Sequence, residues 1–113
     1  MQTFVTPQLA PAIGPYCHAV RTGSLLFISG QVPVNRRGEV VGATMAEQTE
    51  QTLNNLEAVL VHCGLQWKDV VKTTVYISKM EAFGEMNAVY AQKFGDHKPA
   101  RACVEVSRLA KDM

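Results

Sequence analysis

Beginning at Thr49 the chain carries one clear stripe: Thr49, Leu53, Leu56, Leu60 and Cys63 recur at spacings of four, three, four and three residues. That period puts them on one face of a helix. Thr44 and Glu47 stand where a capping box would satisfy backbone donors of the first turn, and Gly64 supplies a left-handed stop, so the pattern predicts a helix over Met45 to Cys63. A second stripe, Phe83, Met86, Tyr90 and Phe94, ends at Gly95, and Ser78 with Glu81 reads as its capping box. Between the two, Val70 to Ile77 is β-branched at most positions and alternates Val71, Thr73, Val75 and Ile77 along one face, which is strand chemistry. Alternation returns after the second helix, where the pattern assigns Ala102, Val104 and Val106 to the core and Arg101, Cys103 and Glu105 to the opposite face.

The first third of the chain has no helical period. Three prolines and Gly14 between Thr6 and Pro15 make an extended or turning lead-in that delivers Tyr16 into a hairpin, Tyr16–Val20 and Leu25–Ser29, turning through Arg21 to Ser24. A further turn at Asn35 to Gly38 leads into an extended Glu39-Val40-Val41. The predicted order, hairpin, β, α, β, α, β, describes an α+β sandwich with two helices on one face of a mixed sheet.

At 113 residues the chain has room for one core and forms a single domain over 1–113. Eleven basic against ten acidic residues leave a net charge of +1, without the field that gathers nucleic acid or anionic lipid. Cys17, Cys63 and Cys103 are odd in number and lack a Cys-x-x-Cys pair, which points away from a disulfide framework and a zinc site. His18, His62 and His97 are too scattered for a metal motif, and no glycine loop suited to phosphate or cofactor is present. No long apolar run or secretory leader is visible. The expectation is a soluble cytoplasmic protein without membrane partner, or one already stripped of an organellar presequence.

Among residues that could carry chemistry, Arg101 stands out, because Pro99 constrains the approach to its strand and a planar guanidinium suits bidentate capture of a carboxylate. From spacing alone, a surface arginine in a salt bridge is the commoner case. Asn87 falls near the second apolar stripe, as a ligand contact or, more often, a satisfied core amide. Ser29 and Gly30 end a strand where a ligand could approach backbone donors, though without a Gly-x-Ser-x-Gly elbow a serine nucleophile is disfavoured. Tyr16 reads as a pocket-rim donor or core, and Cys103 as a small filler.

Several segments in order, Ala12-Ile13-Gly14-Pro15-Tyr16, Ile28-Ser29-Gly30-Gln31-Val32-Pro33, Val71 to Tyr76, Met86 to Tyr90 and Pro99 to Val106, resemble the Rid (YjgF-like) family of imine and enamine deaminases. The resemblance implies a chorismate-mutase-like α+β fold, a homotrimer with clefts between subunits, and no cofactor. It also implies hydrolysis of 2-aminoacrylate and related 2-imino acids, as a 2-iminobutanoate/2-iminopropanoate deaminase, to 2-oxo acids and ammonia. Position by position, Arg101 matches the family's carboxylate-binding arginine, while Tyr16, Ser29, Gly30, Asn87 and Cys103 match pocket-lining residues. Ala110 stands where a proline is usual, and the family's final strand, with a glutamate that handles the catalytic water, is expected to be missing. Glu105, on Arg101's strand face, is about 13 Å away along the strand, too remote to share a small substrate easily. A non-catalytic metabolite-binding regulatory module, or a ribonuclease or translation inhibitor, are the competing functions.

Overall fold

The two-residue turn at Gly23 and Ser24 brings Thr22 opposite Leu25, and from there β2 (Ala19–Thr22) and β3 (Leu25–Ile28) pair antiparallel in the computed structural model, which describes residues 1–113. The hairpin lies within two or three residues of its expected place. A strand not anticipated, β1 (Gln2–Phe4), pairs antiparallel with β2 and completes a three-stranded sheet. Glu39 to Val41 forms no strand of its own, only an isolated bridge from Val40 to Val34.

Helix α1 (Met45–His62) starts on the expected capping box: Thr44 accepts the Glu47 amide while Glu47 reaches back to the Thr44 amide. Its stripe buries Leu53, Leu60 and Cys63, and Val59 and Asn55 are buried beside them. Val59 and Cys63 pack with Leu9 and Ala19, and Phe4, Leu26 and Ile28 close the cluster from the strands. Arg21 donates to the Cys63 carbonyl at the C-terminal end of α1, where a cation is favoured by the helix dipole.

The second half is a parallel pair, β4 (Lys72–Ile77) and β5 (Ala100–Glu105), in register from Lys72 opposite Ala100 to Ile77 opposite Glu105. Parallel neighbours require a crossover, and α2 (Phe83–Phe94) supplies it. The α+β architecture with two helices is as expected, and the strands divide between two sheets, β1-β2-β3 and β4-β5. The helices pack side by side, tied by Lys93 to Glu50 and to the Asn54 side chain, so that α1 covers the first sheet and α2 the second. No helix is long and apolar enough to cross a membrane.

Two expectations need correcting. Ser78 and Glu81 do not cap α2: a 3-10 turn over Met80–Ala82 intervenes, the N-cap is Ala82, and it makes no side-chain cap. The Met80 amide is taken instead by the Glu105 carboxylate at 2.6 Å, a partner from the far end of the chain that the local pattern cannot reveal. The faces of β5 are also reversed. Arg101 and Cys103 are half-buried on the side of α2, while Ala102 and Val104 are exposed. Alternation establishes that a strand has two faces, and only the helix packed against one of them decides which is covered. Val71, at the head of the alternating face, precedes β4 and is 74% exposed.

Candidate functional site

Arg101 sits at the second position of β5, paired in register with Thr73 on β4, and its side chain crosses the sheet towards α2. The guanidinium carbon lies 4.8 Å from the centroid of the Tyr90 ring and 5.6 Å from that of Phe83, and one terminal nitrogen is 3.9 Å from the Met86 sulfur. No carboxylate pairs with it and no oxygen accepts its hydrogens. Among the other arginines, Arg21 binds a carbonyl, Arg37 and Arg108 bind carboxylates, and Arg36, which also lacks a partner, is exposed to water. A half-buried cation held on ring faces, with a single weak contact from one terminal nitrogen to the Met86 sulfur, keeps the rest of its planar donor fork free for bidentate carboxylate recognition.

Cys103 lies two residues further along the same face, half-buried and a free thiol. Asn87 is half-buried on α2, one turn from Phe83 and close to one turn from Tyr90, and its side chain has no hydrogen-bond partner. The satisfied core amide is Asn55 instead, which donates to the Val32 and Val34 carbonyls and accepts from Gln51. Its signal in the sequence was an amide lodged between Leu53, Leu56 and Val59.

The remaining expected residues gather at the other sheet. Ser29 donates to the Cys17 carbonyl at 2.7 Å, which pins the end of β3 against the approach to β2. Gly30 follows it, exposed, and a Cβ there would meet no atom within 4 Å. Neither packing nor backbone conformation demands a glycine at that position. Tyr16 precedes Cys17 and is 51% exposed. The chain therefore places Arg101, Asn87 and Cys103 on one unit and Tyr16, Ser29 and Gly30 on another, with no hydrogen bond joining the two groups.

Residues 7–113 match the family model described as endoribonuclease L-PSP, which is nearly the whole chain. The chain belongs to this family, the Rid or YjgF-like proteins. Among Rid relatives, a RutC family protein of Pyrococcus horikoshii is 46% identical over 100% of this chain and 91% of its own length. The 2-iminobutanoate/2-iminopropanoate deaminase of Escherichia coli is 42% identical over 99% of this chain and 90% of its own length. The crystal structure of E. coli TdcF with bound serine superposes with a TM-score of 0.93 at 40% identity, covering 99% of this chain and 91% of that one. The shared fold is thus the Rid fold.

Proposed function

We propose that this chain binds small 2-imino and 2-oxo acids through Arg101 and hydrolyses the imines to 2-oxo acids and ammonia. The observation that carries the reading is the half-buried guanidinium of Arg101, seated on aromatic faces without an anionic partner. The E. coli relative named as a 2-iminobutanoate/2-iminopropanoate deaminase supports the substrate class, and the serine bound to E. coli TdcF supports a fold that receives a small carboxylate-bearing molecule.

An enamine such as 2-aminoacrylate first tautomerises by protonation at carbon 3. Water then adds to the imine carbon as one of its protons passes to nitrogen, and when the C–N bond breaks the remaining hydroxyl proton also goes to nitrogen, so that ammonia leaves a 2-oxo acid. The protein has to hold the carboxylate, polarise the nitrogen and position the water. Arg101 takes the first task, and Ser29 with the backbone at Gly30, Tyr16, Asn87 and Cys103 line the cleft. Two sets of lining residues on separate sheets fit a cleft completed by a neighbouring copy, in keeping with a homotrimer.

The test is a coupled assay of ammonia and 2-oxo acid release from freshly generated 2-aminoacrylate, together with 2-oxobutanoate affinity. Arg101→Ala is expected to weaken binding by about 1.5–3 kcal/mol, roughly tenfold to 150-fold, with the fold intact. Arg101→Lys restores part of it. Turnover by the Ala variant at the wild-type rate would overturn the anchor.

A regulatory module that binds without turnover is the second reading, favoured by the engagement of Glu105 with the Met80 amide. Binding of 2-oxobutanoate without ammonia release would select it, and the same assay on a chain extended by a glutamate-bearing strand tests whether a water-handling carboxylate is what turnover needs. The family's endoribonuclease description makes RNA cleavage a further outcome to check, though a net charge of +1 gives little support for a groove that follows a phosphate backbone.

A further inference from the structure

We infer that Tyr90 is a positioning residue for Arg101, acting with Phe83 and Met86 as a seat that fixes the guanidinium while leaving its hydrogen-bonding edge free. The inference rests on the reading of Arg101 as the carboxylate anchor. Residues 83, 86 and 90 are three and four apart, so they share one face of α2, and all three touch the same side chain from β5. Attraction to a ring face consumes none of the donors of the fork, whereas a protein carboxylate would occupy them.

Tyr90 is itself held at its hydroxyl and by stacking of its ring. Its hydroxyl lies 2.7 Å from the Thr73 hydroxyl, and its ring stacks on Phe94 with centroids 4.5 Å apart and planes 22° from parallel. Phe94 is 7% exposed and leans on Trp67, centroids 4.7 Å apart. Thr73 is the register partner of Arg101. The contacts therefore form a closed circuit: Arg101 to Thr73 through the strand pairing, Thr73 to Tyr90 through the hydroxyls, and Tyr90 back to Arg101 through its ring. A side chain with several rotatable bonds is held in one place at both ends, so less freedom is lost when substrate arrives. The seat also favours arginine over lysine, since a planar, weakly hydrated guanidinium stacks on aromatic faces better than an ammonium does.

The test measures 2-oxobutanoate affinity by calorimetry, and KM and kcat for imine hydrolysis, in Tyr90→Leu, Tyr90→Phe and Thr73→Val, with circular dichroism to verify folding. Tyr90→Leu is expected to weaken binding by about threefold to thirtyfold and to act on KM more than on kcat. Tyr90→Phe and Thr73→Val, which keep the ring but cut its tether, lose less, and their combination loses no more than either alone because both remove one bond. In an Arg101→Lys background the Tyr90→Leu effect shrinks, as a residue acting through the guanidinium must behave. Wild-type affinity in folded Tyr90→Leu beside a crippled Arg101→Ala overturns the seat and leaves the anchor standing. Wild-type affinity in Arg101→Ala overturns the anchor and the seat's role with it. Should Tyr90→Leu not fold, the tether variants decide: full affinity in both overturns the inference.

Discussion

Glu105 shows how a residue's neighbours decide its chemistry. It is the carboxylate nearest in sequence on Arg101's strand face, yet it accepts the Met80 amide and so ties the end of β5 to the turn that precedes α2. Glutamine can accept the same bond, so Glu105→Gln is expected to leave ammonia release unchanged. A rate loss approaching the 10²–10⁴-fold typical of a removed general base would reassign it. Gly30 is the converse case, a residue the fold does not explain. Since a Cβ there meets nothing within 4 Å, Gly30→Ala is expected to keep the melting temperature of the parent while weakening 2-oxobutanoate binding. A variant that melts early would instead give the glycine a structural role.

At the scale of elements, the start of α1 carries a pH signature. Hydrogen bonds from the Ala43 amide, the Thr44 amide and the Thr44 hydroxyl converge on Glu47 and hold its carboxyl below the usual carboxylate range. A depressed acid stabilises the folded state above the ordinary carboxylate range, and the benefit disappears as pH falls through the lowered value. Glu47→Gln is therefore expected to melt below the parent at neutral pH, with the gap closing on acidification. A gap independent of pH would show that the charge contributes nothing. Helix α2 has no such device, and its position rests on tertiary partners: Lys93 against Glu50 and Asn54, and Tyr90 against Thr73.

For the whole molecule, the decisive feature is what remains uncovered. Both helices lie on one side, and the sheet faces turned away from them expose Leu25, Phe27, Tyr76 and Val104, from 42% to 60%. A small protein does not ordinarily present that much large apolar surface unless something covers it. Light scattering is expected to give three times the chain mass of 12.4 kDa at micromolar concentration, and Phe27→Lys to shift it towards the monomer with loss of activity. A wild-type monomer that still releases ammonia would remove the shared cleft.

Read alone, the sequence determined what depends on near neighbours, namely the extent of α1 from its capping box and stripe, the hairpin about Gly23 to within a few residues, and the strand before α2, and its matched segments carry the family. The helix, the hairpin and the strand are relations between residues a few positions apart, and physics at that range is legible in order. Tertiary structure decided which face of β5 is covered, where α2 begins, that the strands form two sheets, and that Arg101 rests on Tyr90 and Phe83 without an ion pair. These were hidden because a strand's alternation is symmetric between its faces, and because the partners that break the symmetry, α2 for β5 and Glu105 for Met80, reach their places only once the chain has folded back on itself.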